Sequence, residues 1–365
     1  MTPYADLTHM RRALELAQRS IGLSDPNPRV GCVMVTTDGR TIEGHTQQAG
    51  SAHAEAHAIQ LAQAQGISLR DASAYVTLEP CSHFGRTPPC ADALIAAGIR
   101  RVVVAAGDPN PLVAGQGIAR LRAAGIEVIT DLLSGEAREL NIGFFSRMER
   151  GRPWVRLKVA ASIDGHTALP DGTSQWITST SARSDGQRWR ARANGILTGI
   201  GTVLADDPRL DVREQPVRHQ PLRVVLDSQW RTPPQARLLA APGQALIVGA
   251  TADAARQHAL QSAGADVLAL CGGDAHVDLP ALLTELGRRG INELHVEAGA
   301  SLNGALIRAG LVDEYLLYLA PKLLGSGRGM WATGTPASLA EAPTLRFTEV
   351  TQIGPDLRIL ARPTT

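Results

Sequence analysis

Short apolar segments typical of β-strands alternate with segments of helical periodicity along most of this 365-residue chain. In the first half, the pattern predicts strands at residues 30–36, 74–78, 102–106 and 127–129. Helices are predicted at residues 7–19, 53–64, 91–97 and 117–124. Because strands and helices that alternate in this way form a sheet covered by helices, we expect an α/β fold with a sheet that is at least partly parallel.

The alternation stops between residues 147 and 153, where the chain becomes polar and contains both glycine and proline. A second run then predicts strands at 154–160, 196–198, 223–227, 245–248, 293–297 and 314–320, and helices at 181–194, 279–289 and 301–309. Two final β-rich stretches, at 345–350 and 357–361, are typical of an antiparallel hairpin at a sheet edge. The sequence therefore predicts two domains, 1–148 and 153–365, with different folds.

The charge distribution argues against a nucleic-acid partner. Residues 1–150 carry 14 basic and 15 acidic side chains, and the whole chain has a formal charge of +1. Nucleic-acid binding proteins usually have a basic excess, because neutralisation of phosphates supplies much of their affinity. We therefore expect no nucleic-acid partner. No apolar run approaches 18 residues, and the N-terminus lacks a signal-peptide core, so we expect no membrane span and a cytoplasmic location.

Three residues of the first half form a plausible set of metal ligands: His53, Cys81 and Cys90. One imidazole and two thiolates suit Zn²⁺, and three protein ligands leave one tetrahedral position open for water, as in catalytic zinc sites. A structural zinc would need a fourth protein ligand, which His83 could supply. His57, four residues after His53, could instead form a ligand pair with it. Cys32 is predicted to be a core thiol, and Cys271 an inert one.

Glu55 follows the first ligand by two residues and is the candidate general acid and base. It could collect the proton of a metal-activated water and deliver it to a leaving amine. Residues two apart do not share a face within a helix, so His53 and Glu55 must lie in its first turn. Pro80 predicts a turn or helix start that presents Cys81, which would direct a second helix dipole at the metal.

The order His-x-Glu followed by Pro-Cys and a second cysteine is the signature of zinc nucleobase deaminases. Here eight residues, 82–89, separate the two cysteines, where the general signature has two. This longer segment is expected to lie at the mouth of the site. It carries His83 and Arg86, which could contact a polar or phosphorylated substrate.

The chemistry of the second half is less explicit. Residues 299–304 follow a predicted strand and open a predicted helix, so their N–H groups could bind a pyrophosphate, although a glycine there can equally mark a turn. Arg190 and Arg213 are natural bidentate partners of a phosphate. Lys158 lies in a predicted strand and is expected to face the site, near Glu297 or the substrate phosphate. Trp176 could cover a nicotinamide or belong to the core.

Several segments together resemble one known family. In the first half they are 26–33 (PNPRVGCV), 53–55 (HAE) and 79–90 (EPCSHFGRTPPC), and in the second half 174–179 (SQWITS), 202–208 (TVLADDP) and 296–299 (VEAG). They resemble the bifunctional deaminase/reductase of bacterial riboflavin biosynthesis. Among zinc deaminases, the long spacing between the two cysteines is distinctive of this family. The resemblance extends over essentially the whole chain.

This resemblance implies two consecutive reactions. A cytidine-deaminase-like α/β/α zinc domain would remove an amine from the pyrimidinone ring of a ribosylamino pyrimidine phosphate, with one zinc on His53, Cys81 and Cys90, Glu55 as proton donor, and Asn27 and His83 near the substrate. A dihydrofolate-reductase-like domain would then reduce the ribosyl side chain with NADPH. The implied cofactor contacts are Ala160, Trp176, Thr202, Asp206, Ser228, Gly299, Ala300, Ser301, Leu302, Asn303, Gly304 and Ala305. The implied substrate contacts of that domain are Ser174, Arg190, Leu210, Arg213 and Glu297, to which Lys158 is added. A homodimer is the expected assembly.

Two other functions remain open from the residues alone. A nucleic-acid-editing deaminase would use the second half to bind RNA or DNA, and the charge balance argues against it. A zinc-stabilised module joined to a non-catalytic nucleotide-binding domain would show four protein ligands around the metal.

Overall fold

The computed structural model describes residues 3–83, 88–111 and 113–364, and the chain divides into two compact units, Met1–Gly151 and Arg152–Thr365. The α/β class predicted from the sequence is confirmed, because each unit combines a β-sheet with several helices. Across the described residues, every helix is too short or too polar to cross a bilayer.

The first unit contains a five-stranded sheet with the order β2-β1-β3-β4-β5. Its strands are β1 (Gly31–Val35), β2 (Thr41–His45), β3 (Ser73–Val76), β4 (Arg101–Val104) and β5 (Glu127–Ile129). Its helices are α1 (Pro3–Gln18), α2 (Ala54–Ala64), α3 (Cys90–Ala96), α4 (Gln116–Ala123), α5 (Ser134–Leu140) and α6 (Ile142–Arg150). Strand β1 is antiparallel to both neighbours, whereas β3, β4 and β5 are parallel, so the sheet is partly parallel as predicted.

Strand β2 and helices α5 and α6 were not predicted from the sequence. Strand β2 carries a glycine and three polar residues in five positions, which hides its period-two pattern. That glycine, Gly44, lies where an added Cβ would be 2.2 Å from the backbone oxygen of Ala54. The absence of a side chain therefore allows the start of α2 to pack directly on the sheet.

The second unit contains a nine-stranded sheet with the order β11-β10-β9-β8-β12-β6-β13-β16-β15, and β7 pairs separately with β14. The strands are β6 (Trp154–Ser162), β7 (His166–Ala168), β8 (Gly195–Gly199), β9 (Leu222–Leu226), β10 (Ala245–Gly249), β11 (Asp266–Ala269), β12 (Glu293–Val296), β13 (Glu314–Ala320), β14 (Arg328–Gly329), β15 (Leu345–Ile353) and β16 (Asp356–Pro363). The helices are α7 (Thr180–Arg192), α8 (Ile200–Asp206), α9 (Arg237–Ala240), α10 (Ala254–Ser262), α11 (Leu279–Arg288) and α12 (Ala300–Arg308), followed by a 3-10 turn at Leu339–Glu341.

Seven neighbouring strands of this sheet, from β11 to β13, are parallel. The last two strands, β16 and β15, are antiparallel and end the sheet, which confirms the predicted edge hairpin. Ligands of open parallel sheets bind beyond the carboxyl ends of the strands. The central strands β9, β8, β12, β6 and β13 are therefore the ones that position a site in this unit.

Candidate active sites

The three predicted metal ligands of the first unit converge although they lie far apart in the sequence. His53 occupies the N-cap position of α2, Cys81 follows β3 in a loop, and Cys90 is the first residue of α3. The Nδ1 atom of His53 lies 3.6 Å from Cys81 Sγ and 3.4 Å from Cys90 Sγ. All three candidate ligand atoms lie within 4.8 Å of one another.

These distances fit a zinc ion. Tetrahedral coordination with Zn–S of about 2.3 Å and Zn–N of about 2.0 Å places sulfur and nitrogen about 3.5 Å apart. Both observed sulfur–nitrogen distances agree with that value. His83 and His57 belong to the described part of the chain and are not members of this cluster. Instead, Nδ1 of His57 faces the side-chain nitrogen of Gln47 at 3.1 Å. The group therefore offers three protein ligands, as expected for a catalytic zinc site.

The pKa values of the two cysteine thiols are shifted in opposite directions. Hydrogen bonding from the Cys90 thiol and from the His53 ring lowers the pKa of Cys81 to about 4. The backbone N–H of Cys90 also donates to Cys81 Sγ at 3.3 Å. The interaction with Cys81, together with burial, raises the pKa of Cys90. A cation bound here would displace the Cys90 proton, since zinc binds thiolates.

Of the two alternatives expected at Cys81, a turn or a helix start, the helix start is wrong, because α3 begins nine residues later, at Cys90. Pro88 and Pro89 precede that helix and supply the restricted backbone conformation that suits its first turn. The α3 N-terminus therefore faces both sulfur atoms, one through its first residue and the other through the Cys90 N–H group.

Glu55 lies in the first turn of α2, as the sequence analysis required. Its side chain is buried, with 3% of the residue exposed. Burial, to which the charge of Cys81 adds, raises the pKa of Glu55 to about 7. A carboxyl group with this pKa can both accept and release a proton near neutral pH, which is what a proton shuttle requires.

A cavity of about 440 Å³ in this unit is lined by His53 and Cys81 of this cluster, whereas Cys90 is buried. The cavity wall includes the predicted residues Asn27, His53, Glu55, Cys81 and His83, while Arg86 lies outside the described residues. The wall also includes polar residues to which the sequence analysis assigned no role, among them Asp108, Asn110 and Arg147. The Asp-Pro-Asn segment shortly after β4 was the available signal for the first two.

Glu79 fixes the segment that carries Asp108 and Asn110. This buried carboxylate accepts hydrogen bonds from the backbone N–H groups of Asp108, Gly115 and Ile118, at 3.3, 3.0 and 3.2 Å. Burial raises the pKa of Asp108 to about 6. Glu79, two residues before Cys81, thereby connects the metal-binding loop to the opposite wall of the cavity.

Gly117, in helix α4, also packs closely against the loop that carries Cys81. An added Cβ at Gly117 would lie 1.9 Å from the backbone oxygen of Pro80, the residue before Cys81. The backbones of Gly117 and Pro80 cannot move apart without displacing the Cys81 sulfur. We therefore expect Gly117→Ala to weaken zinc binding by at least about tenfold, a loss of the size seen when the residues that support a metal ligand are disturbed. Competition with a chromogenic chelator measures this affinity.

Gly135→Ala is the matched control. Gly135 lies inside α5, and an added Cβ there meets no atom within 4 Å. Alanine favours helices over glycine, so this variant should keep its zinc affinity and gain up to about 1 kcal/mol in stability. Equal zinc affinity in the two variants would contradict the assigned role of Gly117.

The prediction that Cys32 is a core thiol is confirmed, whereas the prediction that Cys271 is inert stays a prediction. Cys32 is fully buried in β1, and Cys271 is exposed in the second unit. Cys271 is not part of the metal cluster.

In the second unit, Glu297 lies at the centre of a group of partly buried charges. Arg190 contacts both of its carboxylate oxygens, at 2.5 and 3.0 Å, and Lys158 Nζ lies 3.9 Å away. His295 Nε2 lies 3.3 Å from the same carboxylate. Burial alone would raise the pKa of Glu297, but Arg190 and Lys158 hold it well below its usual value. The predicted proximity of Lys158 to Glu297 is thus present in the structure.

The predicted cofactor residues follow the carboxyl ends of adjacent parallel strands. Ala160 lies near the end of β6, Thr202 and Asp206 in α8 after β8, and Ser228 after β9. Gly299 caps α12, whose residues Ala300, Ser301, Leu302, Asn303, Gly304 and Ala305 follow β12. These positions place them on the side of the sheet where α/β proteins bind nucleotides.

Trp176 is a surface residue. It is 62% exposed, so the alternative that it belongs to the core is wrong. The guanidinium carbon of Arg183 lies 4.4 Å from its ring centroid, and Lys322 donates to its backbone oxygen at 2.8 Å. These contacts hold the side chain of Trp176 at the surface, where a ligand can reach it.

The remaining predicted substrate residues lie in the segments 174–190 and 210–213. Ser174 is half-buried between β7 and α7. Leu210 is buried, and Arg213 pairs with Asp211 at 2.7 Å. Arg190 also donates to the backbone oxygen of Asp211 at 3.0 Å, so the second segment contacts the charge group around Glu297.

Comparison with known proteins gives consistent results over both units. Residues 3–106 match the family model of the cytidine and deoxycytidylate deaminase zinc-binding region, and residues 153–359 match that of the RibD C-terminal domain. The chain is 47% identical over 367 residues to riboflavin biosynthesis protein RibD of Escherichia coli, covering 96% of this chain and 98% of that protein. It is 44% identical over 366 residues to RibD of Bacillus amyloliquefaciens, covering 97% and 95%.

Solved structures agree. A structure of Acinetobacter baumannii RibD has a TM-score of 0.89 at 42% identity and covers 98% of this chain and 99% of its own. A Thermotoga maritima structure described as a diaminohydroxyphosphoribosylaminopyrimidine deaminase/5-amino-6-(5-phosphoribosylamino)uracil reductase has a TM-score of 0.90 at 31% identity and covers 99% of both chains.

Together, the metal cluster, the buried carboxylate and the parallel-sheet unit define a zinc-dependent deaminase joined to a reductase. The chain belongs to the RibD family of bifunctional riboflavin biosynthesis enzymes.

Proposed function

We propose that the first unit hydrolyses the ring amine of 2,5-diamino-6-ribosylamino-4(3H)-pyrimidinone 5′-phosphate, and that the second reduces the ribosyl side chain of the product with NADPH. The product would be 5-amino-6-ribitylamino-uracil 5′-phosphate. The observation that carries the proposal is the convergence of His53, Cys81 and Cys90 next to a cavity that is also lined by the buried Glu55. The Thermotoga maritima relative, described as a deaminase and reductase of phosphoribosylaminopyrimidines, supplies the substrate class.

In the deamination, His53, Cys81 and Cys90 would hold the zinc. When bound, zinc supplies Lewis acidity that lowers the pKa of a water molecule. The Glu55 carboxylate accepts the proton of that water as its oxygen bonds to the ring carbon. The same carboxyl group then donates the proton to the amine, which leaves as ammonia. Asn27 and His83, on the cavity wall, would orient the ring and its substituents.

In the reduction, the cofactor carries the hydride and the protein orients the reactants. The cofactor would lie across Ala160, Trp176, Thr202, Asp206, Ser228 and residues 299–305, with its pyrophosphate near the N-terminus of α12. Ser174, Arg190, Leu210, Arg213, Lys158 and Glu297 would contact the substrate. The exposed Arg213 and the partly buried Arg190 and Lys158 suit its phosphate.

A test of this partly buried charge group is Glu297→Gln. This change leaves Arg190 and Lys158 without their shared carboxylate, so we expect the second unit to lose about 1.5–3 kcal/mol of stability, as when a hydrogen bond to a charged group is lost. Reductase activity should fall as well. All five tryptophans lie in this unit, at positions 154, 176, 189, 230 and 331. Urea unfolding followed by tryptophan fluorescence therefore measures the stability of this unit alone.

Glu285→Gln is the control for that experiment. Glu285 pairs with Arg288 at 2.7 Å and Arg289 at 2.8 Å on α11. Its side chain is as exposed as that of Glu297, at 17%, but these two arginines are 75% and 32% exposed, whereas Arg190 is 13% exposed. Surface pairs contribute at most about 1 kcal/mol, so the control should unfold nearly like the unmodified protein. Similar losses in both variants would contradict the role given to Glu297.

The proposed function itself is tested with the purified, zinc-loaded protein. We expect about one zinc per chain by elemental analysis. The diamino substrate should release ammonia, and NADPH should be oxidised only when deaminated substrate is present or has formed. Oxidation of NADPH by the diamino substrate without ammonia release would contradict the proposed order of reactions.

A cytoplasmic location and a homodimer complete the proposal. The cysteines are all free in the structure, and two of them are needed as thiolates, which a reducing compartment favours. Strand β15 forms an edge of the large sheet and exposes Phe347 and Val350, a surface suited to a second copy of the chain. Sedimentation equilibrium measures the assembly.

A further inference from the structure

The cavity of the first unit contains one permanent positive charge among the described residues of its wall, and this charge is Arg147. Three carboxyl groups, from Glu55, Glu79 and Asp108, line the same cavity. An anionic substrate that enters the cavity therefore needs a cation to offset these acidic groups.

Helix α6 positions Arg147 toward the cavity. Its neighbours on this helix, Phe144 and Met148, line the same wall, and the guanidinium carbon lies 5.7 Å from the Phe144 ring centroid. Nη2 of Arg147 donates to the backbone oxygen of Pro26 at 3.1 Å, next to Asn27. Burial lowers the pKa of Arg147, an effect that the charge of Asp25 opposes. The guanidinium is thus partly removed from water. In this less polar environment, an additional anion binds it more strongly than it would in water.

We propose that Arg147 binds the phosphate of the deaminase substrate and so determines its preference for phosphorylated over unphosphorylated pyrimidines. This inference rests on the proposed function, which supplies a ribosyl phosphate as the substrate. Arginine suits the role because its planar guanidinium binds two phosphate oxygens at once. The Pro26 contact fixes the guanidinium beside Asn27, which is assigned to the same substrate.

The competing role is structural. Arg147 could serve only to hold the segment around Pro26 in place, together with the charge of Asp25. That role affects every substrate equally, whereas phosphate binding affects only phosphorylated ones. The two roles are therefore separated by comparing the substrate with the same molecule lacking its phosphate.

The experiment measures ammonia release by the zinc-loaded full-length protein and its Arg147→Gln variant. We expect the KM for the phosphorylated substrate to rise by about 10–100-fold, as for loss of a charge-assisted hydrogen bond, with kcat changing little. The KM for the unphosphorylated riboside should change less than about threefold, within the context-dependence of a single contact. Arg147→Lys should recover part of the loss, since lysine keeps the charge but not the bidentate geometry.

Arg150→Gln is the matched control, because Arg150 lies on the same helix, donates to Ser146 Oγ at 2.6 Å and does not line the cavity. It should leave both KM values unchanged. Equal loss for both substrates, or no loss for either, would overturn the proposal. If the unmodified protein deaminates neither substrate, the proposed function itself fails. In that case, calorimetric titration with ribose 5-phosphate tests the inference separately. The inference requires the Arg147→Gln variant to have one ribose 5-phosphate binding site fewer per chain than the unmodified protein.

Discussion

Deaminase kcat falls by about 10²–10⁴-fold in the Glu55→Gln variant, while zinc content and reductase activity stay unchanged. This is the expected result, because general acid–base catalysis contributes a factor of that size and an amide cannot accept the proton of the water. Glutamine matches glutamate in shape, so the buried position in the first turn of α2 should tolerate it. Ammonia release with the diamino substrate and NADPH oxidation with the deaminated substrate measure the two activities separately.

Glu136→Gln provides the control, since Glu136 is exposed on α5, outside the cavity wall. It should leave both activities intact. Deamination at the full rate by zinc-loaded Glu55→Gln would show that another group moves the proton, and the mechanism would have to be abandoned.

The second large effect is expected for Cys81→Ser. A serine hydroxyl stays protonated and is a poor zinc ligand, so zinc should fall from about one per chain to less than about one in ten. Deamination should be lost with the metal. The reductase should remain active on deaminated substrate, because its charge group lies wholly within the second unit.

Cys271→Ser is the matched replacement at an exposed thiol outside the cluster and should keep zinc and both activities. If Cys81→Ser lost the reductase activity while remaining folded by circular dichroism, the two activities would not be independent. If it kept full zinc occupancy, the ligand assignment would be incorrect.

The metal cluster was predictable from the sequence because it consists of residue types that bind zinc. One histidine, two cysteines and a nearby glutamate suit a single metal, and their positions after strands or at helix starts bring them to one end of a sheet. The proximity of Lys158 to Glu297 followed from similar reasoning, since a charge within a strand needs a partner. The two α/β sheets followed from the alternation of strand and helix patterns.

The rest of the deaminase cavity could not be predicted because it depends on contacts between distant segments. Arg147 lies in a polar stretch that the sequence suggested was a linker, and only the packing of α6 brings it near Pro26. The close approach of Gly117 to Pro80 likewise involves a backbone oxygen, which leaves no pattern in the sequence. Strand β2 is short and partly polar, so its place in the sheet depends on pairing with β1.

The most direct test of the proposed zinc site is a crystal structure of the zinc-loaded protein, with anomalous diffraction measured on both sides of the zinc absorption edge. We expect one zinc in the first unit, bonded to His53 Nδ1 and to the sulfur atoms of Cys81 and Cys90, with the fourth position left to a non-protein ligand. A zinc peak elsewhere in the chain, or a fourth protein ligand closing the site, would contradict it.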